Sequence, residues 1–450
     1  MMRQWMKAGA GLALVASLAI GAAPAAWATP QEAQQPKQTY TRQEYDAYNT
    51  AANEKDLQQR LRLLDGFVNN YPNSTLMPYV LQAYFDTYNQ LRNYPKVIEY
   101  ADKLRALGEQ IEIKSRLQTL VLRSQAFELS FNARDPNARD HLSRAREADL
   151  QGLKLVDQLP KPQDKTDDQF TEEKKPATAF FNNAAGFVSL QLKDYAAAVN
   201  HYKAALAANP KDAVSFYRMG IAYLQMAPPN SMDAFWSLAR AIALKLPNEA
   251  QVRNYLRNQM LRYQVPQPSC EKLLDAEMNE LLTLAAGSPD RPANYKIYSS
   301  AELDAARQGM TVLSVINDLK AGGDRAKLIW LAACGLEFPD VPGKILEVTP
   351  TADSVTLKLF LGATDEEIQA ATTPNMEVKV VGQPEAARLQ KDEGARFTGT
   401  LASYDPEPFM LHWDKARVNP EDIPQAKVQP SKQPAKKAPT KRPPVKKPGR

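Results

Sequence analysis

The chain has 450 residues, of which 24% are charged and 44% hydrophobic, and its formal net charge is +5 at pH 7. This length suggests two or three domains. Residues 427–450 hold nine Lys and Arg and no acid, and residues 1–28 hold two more cations, so the rest of the chain carries a formal charge of −6. The chain between residues 28 and 427 is therefore not basic, and its composition gives no argument for specific nucleic-acid binding outside the tail.

Residues 1–28 have the layout of a secretory signal peptide. Two cations precede an apolar run over 9–20, and small residues stand at the positions that signal peptidase reads, ending at Ala28. We expect cleavage between Ala28 and Thr29 and a periplasmic or secreted mature chain without a transmembrane segment; an uncleaved anchor helix is the alternative. Residues 29–40, rich in Gln and Pro, are expected to form a flexible leader.

Helical periodicity begins near Thr41, where apolar residues start to recur at three- and four-residue spacing. A later stretch, over 159–177, is charged, aperiodic and interrupted by prolines. A loop of that length inside a compact array is uncommon, and we expect a mobile surface insertion there. The helices predicted before it span 56–71, 77–91, 94–107, 111–131 and 138–155.

Between residues 180 and 244 the chain contains the same helical hairpin twice. Small residues stand where the two helices of a hairpin cross, Gly186 and Ala198 in the first copy and Gly220 and Ala234 in the second. Only small side chains let antiparallel helices approach closely enough for the ridges of one to enter the grooves of the other. Each copy continues with a large residue, a second small residue and a closing proline, which are Tyr202, Ala205 and Pro210, then Leu238, Ala241 and Pro247.

This order of residues resembles a tetratricopeptide repeat, whose period is ~34 residues. The resemblance implies a mainly α fold, a solenoid of helical hairpins over 41–290 that binds a protein or peptide. In the family, ligands lie in a groove lined by the first helix of each hairpin. Carried onto this chain, the resemblance implies a partner-binding groove formed by Asn183, Phe187, Gln191, Tyr217, Arg218, Ile221 and Gln225.

Arg218 and Tyr217 are the main candidates for partner contact in this groove. We expect Arg218 to be exposed, so that Arg218→Ala weakens binding at little cost to stability. For Phe187, packing between neighbouring repeats is the favoured alternative. One version of the family holds a partner's C-terminal carboxylate with a Lys–Asn pair; that pair is absent here, where only Asn183, Lys203 and Arg218 remain. An aromatic, amide-rich groove with one guanidinium suits a peptide partner.

The array is predicted to close with helices over 249–263 and 271–286, because terminal repeats cap the core. Residues 291–340 are predicted to form a connector of short helices, ended by Pro339 and Pro342.

Residues 341–419 are predicted to form a small antiparallel β-barrel. Five strands with a short helical stretch before the fourth resemble the OB-type barrel; an open antiparallel sheet is the alternative. Residues 403–410 also resemble the final barrel hairpin of exported repeat proteins from Gram-negative, acidobacteria-like organisms. Aromatic residues of the barrel, among them Phe397 and Trp413, are expected in its core. The predicted strands span 345–349, 355–360, 376–381, 397–404 and 409–418.

Residues 420–450 are rich in Pro and Lys and are predicted to be disordered, since they hold few apolar residues to offset the cost of ordering. Such a tail can attract polyanions. The cations expected to bind them are Lys436, Lys437, Lys441, Arg442, Lys446, Lys447 and Arg450.

The sequence supplies no arrangement of reactive side chains that indicates catalysis. The three histidines lie far apart, and none has a second His or a Cys at metal-ligand spacing. We therefore expect no enzyme activity, no metal and no cofactor. The two cysteines, Cys270 and Cys334, permit one disulfide in an oxidising compartment; two separately buried thiols are the alternative.

These observations predict an exported interaction scaffold with a protein or peptide partner. The resemblance to exported repeat proteins implies partners in cell-envelope assembly or maintenance. A second interpretation is an envelope-tethered spacer whose tail binds peptidoglycan, lipopolysaccharide or nucleic acid.

Overall fold

The computed structural model describes residues 39–425, which form two compact units. The first unit contains the described residues up to 265 together with 272–299, and the second contains 266–271 together with the described residues from 300 onward. The predicted signal peptide, the leader as far as residue 38 and the basic tail lie outside the described residues.

In the described part of the first unit, twelve α-helices follow one another as consecutive pairs. In the first five pairs the two helices pack together as a hairpin, and the second helix of each of the five also packs on the first helix of the next pair. The sixth pair is joined by an ion pair between Arg257 and Asp275 and by a hydrogen bond from Gln264 to Glu277. The helices are α1 Arg42–Asn53, α2 Leu57–Asn70, α3 Met77–Gln90, α4 Tyr94–Ala106, α5 Ile113–Ser130, α6 Ala138–Asp157, α7 Asp167–Gln191, α8 Tyr195–Ala208, α9 Ala213–Gln225, α10 Ser231–Ala243, α11 Glu249–Gln264 and α12 Glu271–Gly287.

The two clean hairpins, α7–α8 and α9–α10, cross where the sequence predicts. A Cβ atom on Gly186 would lie 2.7 Å from Cε1 of Tyr202, and a Cβ atom on Gly220 would lie 2.9 Å from Cγ of Leu238. Tyr202 and Leu238 are fully buried against these glycines. The predicted register of both repeats is confirmed, because each glycine faces the large residue of its own repeat. Any larger side chain at either glycine would push the helices apart.

The predicted mobile loop over 159–177 is wrong for its second half, because α7 begins at Asp167. The Thr166 hydroxyl accepts a hydrogen bond from the backbone N–H of Gln169, and the Gln169 side chain accepts one from the backbone N–H of Thr166. This capping box starts the helix. The helix then continues through Pro176, whose presence suggested a loop.

In the described part of the second unit, three helices precede a closed five-stranded barrel with the strand order β1-β2-β3-β5-β4. Strands β3 and β5 are parallel and all other pairs are antiparallel. A closed barrel with this strand order is OB-like, so the open-sheet alternative is wrong. The elements are α13 Ser300–Arg307, α14 Val312–Ala321, α15 Gly323–Ala333, β1 Glu337–Pro350, β2 Ser354–Phe360, α16 Asp365–Ala370, β3 Met376–Val381, β4 Gly394–Pro406 and β5 Phe409–Val418.

The helices before the barrel belong to the barrel's own core. Val315 and Ile329, from α14 and α15, are buried in one apolar cluster with Phe397 and Trp413 of the barrel. Phe397 and Trp413 pack edge to face, with ring centroids 5.2 Å apart. Their predicted core position is confirmed. The predicted connector, 291–340, belongs to the second unit from residue 300 onward, whereas 291–299 belong to the first.

Strand β1 begins at Glu337, before the two prolines that were expected to separate the helices from the barrel. The pairing of β1 with β4 shifts register between Phe338 and Val341, and Asp340 has a positive φ of 52°. Pro339 therefore lies in a β-bulge, where a strand tolerates a residue that cannot donate a hydrogen bond.

A disulfide joins Cys270 to Cys334, with a Cα–Cα distance of 6.1 Å. Both cysteines are buried. The bond ties residues 266–271, which connect α11 to the first residue of α12, to the C-terminal end of α15. The sequence left this pairing open, because residue spacing does not show which Cα atoms lie within bonding reach.

Candidate functional site

The predicted groove residues lie on α7 and α9, the first helices of the two clean hairpins. Both helices run beside α5, the first helix of the third hairpin: α7 contacts α5 and α9, and a side-chain ion pair joins α9 to α5. We call the surface of α5, α7 and α9 around Glu128, Asn183 and Arg218 the first-helix face. It is the part of the first unit in which three successive repeats meet.

Arg218 is the centre of this face, and it is buried. Its guanidinium forms an ion pair with Glu128 of α5, and its Nη1 donates to Oδ1 of Asn183 at 3.0 Å. The guanidinium carbon also lies 5.0 Å from the centroid of the Phe187 ring, within the range of a cation–π contact. One side chain therefore connects three consecutive hairpins.

Asn183 extends the network toward the start of α9. Its Nδ2 donates to Oδ2 of Asp212 at 2.9 Å and to Oγ of Ser215 at 2.7 Å. Asp212 is the N-cap residue of α9 and also accepts from the backbone N–H groups of Val214 and Ser215. Both amide protons of Asn183 and its carbonyl oxygen are used inside the array, so this side chain holds the repeats in register.

The electrostatics of the network keep Arg218 charged. Burial favours the neutral guanidine, but the carboxylate of Glu128 opposes this effect, and the pKa of Arg218 is raised. Burial favours the neutral form of the neighbouring Tyr202 hydroxyl too, and therefore raises its pKa. The buried charge is thus balanced by a specific partner, as buried ions require.

Arg218 was expected to be exposed to a partner, and that expectation is wrong. The side chain is 7% exposed and has two protein partners of its own. The sequence did not show that Glu128, 90 residues earlier, would lie opposite the guanidinium. Phe187 is also buried and packs edge to face on Phe131, at a centroid distance of 6.1 Å, as its alternative interpretation held.

Besides the half-buried Asn183, four of the predicted groove residues remain accessible on the same face. Gln225 is exposed, while Gln191, Tyr217 and Ile221 are half-buried. Burial raises the pKa of Tyr217. Burial is also the main reason that the pKa of Tyr255, on α11, is raised to about 12, and the nearby Tyr217 adds to that shift. The accessible strip is therefore aromatic, aliphatic and amide in character, and the cation beneath it is neutralised.

The sequence pattern did not show that α5 contributes to this face. Glu128 lies on α5 beside Leu129, which is 42% exposed. Extending the hairpin register one repeat upstream would have placed α5 in the first-helix position. No crossing glycine marks that hairpin, so the motif gave no signal.

The described residues contain neither a cluster for metal ligation nor a membrane span. Over residues 39–425, no group of three or more His, Cys, Asp or Glu side chains is placed to hold a metal ion. Within the same range, none of the helices combines the length and apolar character needed to cross a bilayer. The tail cations predicted to bind polyanions lie outside the described residues.

The first unit is thus a tetratricopeptide-like helical array, and the second is an OB-like barrel with its own helices. No protein-family model and no curated protein matches the sequence. Among solved structures, the chain is similar to the TPR2AB domain of yeast Sti1 in its complex with pHSP90, with 13% identity and a TM-score of 0.18, over 54% of this chain and 97% of that chain. Because this TM-score is low, the fold is assigned from the helical hairpins of this chain itself.

Proposed function

We propose that this protein is an interaction scaffold that binds a peptide or protein segment on its first-helix face. The observation that carries the proposal is the combination of a rigid polar network with accessible side chains on the same helices. Glu128, Arg218 and Asn183 fix the spacing of three helices, and the accessible strip consists of Gln191 on α7 and Tyr217, Ile221 and Gln225 on α9. Preorganised surfaces of aromatic and amide side chains bind at a lower entropic cost than mobile ones.

The proposed location is the periplasm or the cell exterior, and the proposed setting is cell-envelope assembly or maintenance. Two observations support export. Residues 1–28 have the signal-peptide layout, and a buried disulfide joins Cys270 and Cys334, a bond that persists in oxidising compartments. N-terminal sequencing of the native protein is expected to find Thr29, or a residue next to it, as the first residue.

The role that we propose is non-catalytic. The charged groups of the first-helix face are paired with one another, so they are not free to act as general acids, bases or nucleophiles.

The test is recovery of envelope partners with matched variants of the full mature chain. Gln225→Ala combined with Ile221→Gln alters the accessible strip without touching the buried network. Asn200→Ala, at an exposed position of α8, is the control. We expect the strip variant to lose at least about fivefold in affinity for a recovered partner, the scale of losing one modest contact residue, ~1 kcal/mol. Equal binding by strip variant and control would contradict the proposal.

A second candidate function is polyanion binding through the tail, which the nine cations without any acid in residues 427–450 favour. Such binding is electrostatic and must weaken steeply with salt, because neutralised charges release counterions. A chain lacking residues 427–450 is expected to lose retention on an anionic resin at unchanged thermal stability. Unchanged retention would assign the binding to the folded body.

A further inference from the structure

The barrel has an open cleft of about 510 Å³, which no part of the proposed function uses. Its walls are partly apolar, formed by side chains that include Phe360, Leu361 and Ile368. Its volume falls within the range of ligand-binding clefts, ~300–1,000 Å³. All of its lining residues belong to the second unit.

The four charged side chains that line this cleft, Lys344, Asp392, Arg396 and Asp422, are paired with one another. Lys344 pairs with Asp392 at 3.3 Å and donates to the backbone carbonyl of Gln369 at 2.9 Å, so it is already neutralised. Arg396 donates to both carboxylate oxygens of Asp422, at 2.9 and 3.1 Å.

Two further carboxylates lie beside Arg396 without a cation of their own. Glu421 is 3.5 Å and Asp340 is 3.9 Å from the guanidinium, and their side chains are 82% and 63% exposed. One guanidinium neutralises one carboxylate, and Asp422 holds the closest geometry. Asp340 and Glu421 do not line the cleft themselves, but they add about two uncompensated negative charges beside the lining residue Arg396. A partly apolar cleft with carboxylates next to it suits a cationic ligand with apolar segments.

The chain itself supplies such a segment at this position. Asp422 lines the cleft, the described residues end three residues later at Gln425, and the basic segment starts at Lys427. Residues 427–450 contain nine Lys and Arg and six Pro. Proline-rich segments dock into grooves lined by aromatic and apolar side chains. Because the segment is covalently attached, its encounter with the cleft is intramolecular, which raises its effective concentration.

We propose that the cleft is the docking site of the chain's own basic segment, residues 427–450. Its prolines lie against the apolar wall around Phe360 and Leu361, and its lysines pair with Asp340 and Glu421. Docking in the cleft and binding to an external polyanion use the same cations. The cleft therefore competes with polyanions for the segment and sets how readily it is released.

The test is zero-length carbodiimide cross-linking of the full mature chain, which joins a lysine amine to a carboxylate only when the two touch. Lys427 is too near the cleft to be informative. Lys436, eleven residues beyond Gln425, can lie up to ~40 Å away, so a cross-link from it reports docking. In monomers at low salt, we expect links from Lys436, Lys437 and Lys441 to Asp340, Asp392 and Glu421 to exceed links to Glu407 and Asp414 by about fivefold, because the docked segment is held locally.

A charge-matched pair of variants separates docking from general attraction. Asp340→Asn with Glu421→Gln removes the two uncompensated charges, and we expect links to Asp392 to fall about threefold, the scale of two exposed ion pairs. Glu407→Gln with Asp414→Asn removes the same charge from exposed positions of the same barrel and is expected to change nothing.

Three outcomes would overturn the proposal. The first is that cross-links are spread evenly over the acidic residues of the barrel. The second is that the yield of cross-links to Asp392 is unchanged in the variant with Asp340→Asn and Glu421→Gln. The third is that cross-links join isotopically different chains in a mixed sample. The last outcome would assign the segment to a neighbouring copy.

Discussion

Hairpins three and five pair their helices in the same way but fill the crossing with different chemistry. In hairpin five the crossing is apolar and tight, with Gly220 of α9 against Leu238 of α10. In hairpin three, Ser124 of α5 donates a hydrogen bond to Asp149 of α6, and both side chains are buried. The fold thus accepts a polar crossing, but a buried carboxylate makes the stability of that hairpin depend on pH.

The two hairpins are also physically connected. Arg218 of hairpin five pairs with Glu128 of hairpin three, and it bonds to Asn183 of the hairpin between them. Side chains that connect several repeats make an array more cooperative than nearest-neighbour packing alone would. Three substitutions examine this difference between apolar and polar contacts.

The largest effect is expected for Arg218→Ala, which leaves Glu128 without its partner at a partly buried site. We expect a loss of ~2–4 kcal/mol in the free energy of unfolding, reduced from the fully buried case because Glu128 retains some contact with water. Urea denaturation measures it. The control is Arg139→Ala, an exposed arginine of α6, which is expected to change stability by less than ~0.5 kcal/mol. Similar losses for both arginines would show that the network does not hold the hairpins together.

A smaller loss, ~1–3 kcal/mol, is expected for Gly220→Leu, because the added side chain overfills the crossing with α10. A Cβ atom there would already lie 3.1 Å from the backbone oxygen of Ala234. Gly66 provides the contrast: it is a glycine of α2 whose added Cβ would meet nothing within 4 Å. Gly66→Ala is expected to stabilise by ~0.5–1 kcal/mol through helix propensity alone. Thermal unfolding compares the two, and a stabilising Gly220→Leu would refute the assigned register.

The smallest effect, ~1 kcal/mol of added stability at pH 8, is expected for Asp149→Asn. Burial raises the pKa of Asp149 from its ordinary value of 3.8 to about 7. The folded state therefore holds this proton more tightly than the unfolded state, and the contribution of Asp149 to stability is lost as pH rises from about 4 to about 7.

Asparagine keeps an acceptor for the Ser124 hydroxyl but does not titrate, so the difference between variant and wild type should grow from pH 5 to pH 8. Denaturant unfolding at the two pH values measures it. A difference that is the same at both would show that Asp149 does not titrate in this range.

Much of the fold was predictable from the sequence because its signals are local. The pattern of Gly186 and Tyr202, repeated at Gly220 and Leu238, reports a crossing between adjacent helices, and alternation along 355–360 reports a strand with one buried face. Residues 167–177 were predicted to be a loop because they are charged and contain Pro176, but the capping box at Thr166 starts a helix there.

The candidate site was only half predictable. Helix periodicity places Tyr217, Ile221 and Gln225 on one side of α9, and the resemblance to tetratricopeptide repeats implied that Gln191 of α7 lines the same groove. Whether Arg218 on that face was available to a partner depended on Glu128, and no local pattern relates residues 90 positions apart.

By itself, therefore, the sequence determined the repeat register, the positions of β2, β3 and β5, and the concentration of positive charge in residues 427–450. The tertiary structure decided the pairing of Cys270 with Cys334, the burial of Arg218 and the excess of carboxylates around Arg396. The reason is physical: periodicity and capping act over a few neighbouring residues, whereas charge pairing and disulfide formation depend on distances in space that only the packed chain defines.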